Sequence, residues 1–341
     1  MGEITTVGID LAKNVFQLHG VDARGVVVLR KQIRRAQLMR AVAQLPPCVI
    51  GMEACASAHQ WARRFERQGH AVRLMSPQFV KPYVKSQKND QADAEAICEA
   101  VQRPTMRFVP LKSFEQQDLQ SAHRVRQGLI AVRTATINRM RGLLGEYGVV
   151  LARRPATVRH EVPQVLADAD NELTVIAREL IAELYEHFRD LERRIARVER
   201  MLERLGAANE LVQRLRSVPG IGLLSATALV AAVGNAKVFR NGRQMAAWLG
   251  LVPRQDSSGG KPRLLGITKR GDKYLRCLLI HGARVVTTYA QRQQRDSQRW
   301  INAIRERRGK QRAYVAQANK NARIAWAVIT SGQCYRPPIA A

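Results

Sequence analysis

The chain has 341 residues, enough for two or three domains, and 46% of them are hydrophobic, enough for real cores. Lys and Arg total 56 against 28 Asp and Glu, a net charge of +28, and so large a surplus repels itself unless a polyanion is bound. Nucleic acid is the expected partner, because phosphates form the densest line of negative charge a cytosolic protein meets; an anionic membrane surface is the weaker one, since no ~18-residue apolar run or basic amphipathic anchor stands out.

The charge is uneven. From Lys261 to Ala341 there are 18 Lys or Arg against Asp272, Asp296 and Glu306, so this part should face phosphate most heavily. The five cysteines (Cys48, Cys55, Cys98, Cys277, Cys334) form no CxxC pair. Reduced thiols in the cytoplasm are expected, with neither a disulfide framework nor a zinc site. The opening MGEITTVGID lacks the basic and apolar blocks of a signal peptide.

In chain order, ITTVGIDLA, VFQLHGVD and GVVVLRKQ are three β-rich runs, with a turn-like VDARG between the second and third. A helix is predicted near Ala36–Leu45, ended by Pro46 and Pro47. CVIGMEA reads as a buried strand ending in a carboxylate, HQWARRFERQG as an amphipathic helix closed by Gly69, and AVRLMSP as a further strand stopped by Pro77. Three strands in a meander, then helix, strand, helix and strand, match a ribonuclease-H-like layout with a mixed sheet covered by helices.

Residues 111–150 read as helical, with Pro155 and Pro163 as interruptions. Ile181, Leu184, Phe188, Leu191, Ile195, Val198, Leu202 and Leu205 then alternate at spacings of three and four, with Glu and Arg between, until Gly206. That is a heptad seam, predicting a coiled coil, intramolecular or dimeric. From Leu211 the chain is again mainly helical, with a last helix at about Ala313–Thr330.

Three motifs carry chemistry. Asp10 ends the first strand and Glu53 the fourth; in a ribonuclease-H-like sheet those strands are neighbours. Asp90 and Asp93, in KNDQADA, begin a helix and share a face at i and i+3. Alone, Asp90 could be an N-cap and Asp93 a first-turn acid favoured by the helix dipole. Four converging carboxylates would repel unless divalent cations neutralise them. Mg²⁺ suits oxygen ligands and phosphodiester chemistry. Second, Pro219-Gly220-Ile221-Gly222 precedes a small-residue helix, as in a helix-hairpin-helix, where Gly220 and Gly222 would let backbone N–H groups face a phosphate. An ordinary helical hairpin is the plainer reading. Third, Ser257-Ser258-Gly259-Gly260 stands among Arg254, Lys261, Arg263, Lys269, Arg270, Lys273 and Arg276. From chemistry alone this is a flexible phosphate-binding loop; a serine nucleophile there needs a base or metal that spacing does not name.

Taken together these residues resemble the DEDD-type transposases of the insertion sequence 110 family, and more closely its insertion sequence 1111 subgroup. VGIDLAK, the strand ending in Glu53, KNDxxDA, the PGIG hairpin and a WLGLxPR…SSGG…GxxxLR segment occur in that order over nearly the whole chain. The resemblance implies a RuvC-like domain with Asp10, Glu53, Asp90 and Asp93 as its acidic tetrad. It implies a C-terminal transposase domain with a serine nucleophile, Ser258 by position in the motif, with Ser257 adjacent. It also implies guidance by a structured non-coding RNA encoded in the element, and a homo-oligomer, dimer or tetramer. The expected fold class is α/β plus α: a RuvC-like catalytic domain with a helical extension over 1–155, a coiled-coil segment over 156–207, and a helical transposase domain over 208–341.

The expected activity is Mg²⁺-dependent cleavage and rejoining of DNA. The rival readings are a Holliday-junction-type nuclease, in which water attacks, and a non-enzymatic nucleic-acid scaffold with a decayed site, against which the intact tetrad argues. Many Lys and Arg contacts to phosphate release counterions, so binding of duplex DNA should weaken steeply with salt. A plot of log affinity against log salt checks this, and a nearly flat line would contradict a phosphate-dominated interface.

Overall fold

A computed structural model of the chain describes residues 2–85, 89–152, 154–293 and 298–337. It divides into two compact units, Met1–Ser113 and Phe114–Ala341.

The first unit is built on a six-stranded sheet. β1 (Ile4–Leu11), β2 (Val15–Asp22) and β3 (Val27–Arg34) form the antiparallel meander. β4 (Val49–Glu53) and β5 (Ala71–Met75) run parallel to β1, and a two-residue β6 (Phe108–Val109) closes the far edge antiparallel. The spatial order is β3-β2-β1-β4-β5-β6. This is the mixed sheet the ribonuclease-H-like reading expects. The sixth strand was not legible, because two residues carry no alternation to read.

Strand alternation sorts the side chains. Val7, Ile9, Phe16, Leu18, Ile33, Ile50, Met52 and Leu74 form one apolar face. Two helices cover it: α1 (Leu38–Ala43), shorter than expected, through Leu38 and Val42, and α2 (Ala58–Glu66) through Trp61 and Phe65. Beyond β5 comes a one-turn helix, α3 (Pro77–Val80). The other face receives α4 (Asp90–Val101), whose Ile97, Ala100 and Val101 pack with Met75 and Val80. Here the sheet offers glycine. A Cβ on Gly8 would lie 2.3 Å from the Ala94 carbonyl oxygen and 2.5 Å from the Cys98 nitrogen; one on Gly51 would lie 2.8 Å from the Val101 Cβ. Only glycine admits the helix so close.

Among the described residues the second unit is helical apart from one hairpin. α5 (Phe114–Glu146), expected as an extension of the first domain, belongs to this unit. α6 (Pro155–Ala167) begins at Pro155, whose missing N–H costs nothing in the first turn, and runs through Pro163. α7 (Val175–Ala207) carries the heptads. Ile181, Phe188, Leu191, Ile195 and Leu202 are buried, with Leu184, Val198 and Leu205 half-buried. The N-terminal half of the seam shares a core with Ile137, Met140 and Leu144 of α5 and Val158 and Val162 of α6. Leu202 enters a second core formed with the helices that follow. These positions are therefore filled within one chain. Gly206 does not end α7; it lies inside the helix, where a Cβ would meet Leu223 at 2.7 Å.

After α8 (Glu210–Arg216), α9 (Leu223–Val233) and α10 (Gly242–Trp248), a short hairpin of β7 (Pro253–Gln255) and β8 (Leu264–Ile267) interrupts the helices. α11 (Lys273–Gln293), α12 (Arg299–Arg308) and α13 (Lys310–Ser331) follow. His123 of α5 ties the core together: its ring nitrogens meet Tyr274 Oη at 3.0 Å and Thr227 Oγ1 at 2.9 Å, and burial lowers its pKa to about 4. Among the described residues no helix is long and apolar enough to cross a membrane.

Phe188 is fully buried in the α5–α6–α7 core. Phe188→Ala should destabilise the second unit by about 3–5 kcal/mol. Denaturant unfolding checks this, and a loss below about 1 kcal/mol would mean that the seam does not anchor the helices.

Candidate active site

β1 and β4 are parallel neighbours, with Ile9 opposite Met52. Ile9 and Met52 face the α1–α2 core, so Asp10 and Glu53, one residue on, both face the α4 side. The helix then brings its first turn to the end of β1. Carboxylate oxygens of Asp10, Asp90 and Asp93 lie within 4.8 Å of one another, with Asp90 exposed and the other two half-buried. Glu53 is outside that trio but on the adjacent strand end, and Cys55 senses both sides of the site. Burial raises the Cys55 pKa most, and the charges of Glu53 and Asp10 raise it further.

Neither Asp90 nor Asp93 is consumed as a helix cap. Asn89 takes that role, its side-chain oxygen accepting the Ala92 N–H at 2.7 Å. Asp90 and Asp93 are left in the first turn, where the helix dipole favours their negative charge. The capping signal was present in the sequence as Asn directly before the helical run. Three hard oxygen donors at this spacing fit a divalent cation of the oxygen-seeking kind and would repel one another without it.

The second cluster lies in the other unit. The β7–β8 hairpin carries Ser257, Ser258, Gly259 and Gly260 at its end, with both glycines at positive φ. The two serines differ. Ser257 Oγ accepts the Arg263 N–H and the Gln255 side-chain N–H, each at 3.0 Å, and so closes the hairpin. Ser258 takes part through its backbone, its carbonyl accepting the Lys261 N–H at 3.0 Å. Among the described residues its hydroxyl has no hydrogen-bond partner.

Arg254, Lys261, Arg263, Lys269, Arg270 and Lys273 are exposed. Arg276 is not. It is 8% exposed and its guanidinium donates to the Leu249 and Arg270 carbonyls. Its place in the phosphate-facing set is therefore withdrawn. It locks the WLGL segment to the turn before α11, where Gly250 and Gly271 allow backbone-to-backbone contact: a Cβ on either would fall within 2.1 Å of a carbonyl oxygen.

At the PGIG turn α8 and α9 do form two helices joined by a tight connection. Gly220 has φ +84 and packs against the Gly282 backbone, and the Pro219 carbonyl accepts from the Asn321 side chain at 3.0 Å. Gly222 is exposed at the start of α9, which has no side-chain cap. Gly220 is thus a packing glycine, whereas Gly222 is the exposed residue directly before α9.

The sheet order, the neighbouring strand-end acids and the acidic helix start fit the ribonuclease-H-like layout of a DEDD-type transposase. Two family models match: a DEDD transposase of the insertion sequence 110 type over residues 7–149, and the transposase IS116/IS110/IS902 family over residues 212–298. Curated relatives extend the match across the chain. A probable family 20 transposase of Pseudomonas aeruginosa is 52% identical, over 98% of this chain and 99% of its own. The transposase for insertion sequence element IS1111A of Coxiella burnetii is 45% identical, over 98% and 92%. That for IS1328 of Yersinia enterocolitica is 43% identical, over 98% and 99%. The chain belongs to the IS116/IS110/IS902 family of transposases.

A cation bound by the carboxylates stabilises the fold by mass action. Added Mg²⁺ should raise the unfolding midpoint of the wild-type chain and leave Asp93→Asn almost unmoved. Gly8→Ala removes no ligand but forces α4 outward, so it should also blunt the response. An equal Mg²⁺-induced shift in Asp93→Asn, read by thermal unfolding, would rule out a cation at this cluster.

Proposed function

We infer that this transposase cuts and rejoins DNA at specific sites with Mg²⁺ held by Asp10, Glu53, Asp90 and Asp93 and with Ser258 as the nucleophile. The convergence of carboxylate oxygens of Asp10, Asp90 and Asp93 within 4.8 Å of one another carries the reading, since three oxygen donors at that spacing suit a divalent cation. When bound, Mg²⁺ neutralises charge on the scissile phosphate and favours ionisation of the attacking oxygen.

The chain's own residues do the rest. Ser258 Oγ attacks phosphorus and its proton leaves to a base. The new P–O bond to serine forms as the bond to a DNA oxygen breaks, and that oxygen takes up a proton. The resulting phosphoserine is reversed when another DNA hydroxyl attacks, which restores the serine and joins new ends. Three facts support Ser258 over its neighbour: among the described residues its hydroxyl has no partner where that of Ser257 accepts two hydrogen bonds, two glycines stand beside it, and exposed cations flank it. Exposed Lys and Arg of the second unit offer sequence-blind phosphate contacts.

Two further parts of the reading rest on the family resemblance. A guide RNA encoded in the element pairs with donor and target DNA, which the basic surplus permits. The active form is a homo-oligomer, dimer or tetramer, in the cytoplasm. Because the α7 seam is filled within the chain, subunits would meet through other surfaces.

Ser258→Ala should keep the fold, Mg²⁺ response and nucleic-acid affinity, with stability changed by less than about 0.5 kcal/mol, but lose the covalent DNA adduct and recombination. Ser257→Ala should loosen the hairpin and reduce activity without abolishing the adduct. Denaturing gels that retain DNA-linked protein separate the cases. An adduct lost only in Ser257→Ala would move the nucleophile by one residue; recombination intact in both would favour water attack.

A further inference from the structure

Asp10 is not the end of its row. In the sheet register Asp10 pairs with Gln17 of β2, and Gln17 pairs with Gln32 of β3. Directly opposed residues of an antiparallel ladder share a face. Asp10, Gln17 and Gln32 therefore stand in line on the α4 side of the sheet. The adjacent row holds Gly8, His19 and Arg30. The opposite face at this place is closed by Phe16, Leu18 and Ile33 in the α1–α2 core.

On the α4 side the strands and the first turn of the helix border an open cleft of about 230 Å³, lined by Gln17, Leu18, Arg30, Lys31, Gln32, Gln91 and Ala94. Gln91 stands between Asp90 and Asp93 in the chain, so the cleft adjoins the carboxylates. Its lining on this face has the opposite chemistry: three amides and the Arg30 guanidinium, with no acid, while Lys31, paired with Leu18, alternates to the other face. β3 is the edge strand, carries Arg30, Lys31 and Arg34, and contains no Asp or Glu. Among the described residues Gln17, Arg30, Gln32 and Gln91 make no side-chain hydrogen bond or ion pair. Arg30, Gln32 and Gln91 are exposed and Gln17 half-buried, so these donors are open to an anion from outside.

The geometry points to a phosphate subsite in which Arg30, Gln17, Gln32 and Gln91 grip the DNA backbone beside the linkage presented to the carboxylates. The assignment rests on the reading that Asp10 and its partners cut DNA. Gln32 is two strand spacings from Asp10, about 10 Å, so the gripped phosphate is about one or two linkages from the cut one. A guanidinium and amides there, with acids next door, sort the strand: backbone phosphate binds at β2–β3, and the reacting phosphate falls beside the acids. Such contacts to phosphate fix register and carry no sequence information. Arg30, Gln17, Gln32 and Gln91 are positioning residues.

The test uses the full chain, Mg²⁺, a duplex carrying the two flanks of its coding region joined end to end, and RNA transcribed from those flanks. Single methylphosphonate linkages, which are uncharged, are scanned over the three positions on each side of the cut. In the wild-type chain one nearby position should slow cleavage about tenfold, the scale of one lost charge-assisted hydrogen bond. In Arg30→Ala that position should lose its effect, with KM raised and kcat nearly unchanged. Gln32→Ala should shrink the effect in part, with both unfolding midpoints unmoved. A methylphosphonate profile of Arg30→Ala that superimposes on the wild-type profile refutes the subsite. Asp10→Asn is run in parallel: if it cleaves normally, the carboxylate reading fails and this assignment falls with it; if it is inactive while the Arg30→Ala profile is unchanged, the subsite alone is wrong.

Discussion

The first unit depends on one close approach. α4 lies on β1 and β4 at a distance that only Gly8 and Gly51 permit, the Ala94 carbonyl and Cys98 backbone standing where side chains would otherwise be. The consequence is chemical. A helix held further off by even one methyl group would carry Asp90 and Asp93 away from Asp10, and three carboxylates confined within 4.8 Å would separate. Electrostatics alone would favour that separation. The apolar packing of Ile97, Ala100 and Val101 against the sheet opposes it, so burial at one end of α4 holds charge together at the other.

The second unit solves a different problem with the same device. Gly250 and Gly271 let two backbone segments touch, Gly220 meets Gly282, and Gly206 seats the end of α7 against α9. These contacts are mostly backbone, so they survive on a surface crowded with cations whose mutual repulsion would loosen any packing made of long side chains. Arg276 shows the arrangement in miniature: a cation from the phosphate-rich stretch is turned inward and satisfied by carbonyls, and becomes part of the frame that presents its exposed neighbours.

How much was legible follows from what each feature needs. That Asp10, Asp90 and Asp93 come together could be read because a strand end and a helix start are local and alternation fixes the face; Glu53 lies on the adjacent strand end, outside that trio. The heptads of α7 could be read because their period is intrinsic, but not their partner, which is α5 and α6 in the same chain. Asn89 as the cap displaced Asp90 by one residue, a choice settled by one hydrogen bond. The exchange of roles between Ser257 and Ser258 depends on which hydroxyl reaches Arg263 across the hairpin, and no spacing reports that. Arg276 was misplaced for the same reason: burial of a lone arginine is a tertiary fact.

The row Asp10–Gln17–Gln32 belongs with these. Each residue is unremarkable in its own strand, and glutamine on a solvent-facing strand position invites no comment. Register makes them neighbours, and register is set by the core on the opposite face: Phe16, Leu18 and Ile33 must point into it, so Gln17 and Gln32 must point away. A one-residue slip of β3 would bury Gln32 and expose Ile33, which hydrophobic burial forbids. The same apolar pattern that made the strands recognisable therefore also fixes the polar line beside the carboxylates. The acids do not stand at an isolated strand end; they close one end of a surface whose other end, on the edge strand, is basic and open.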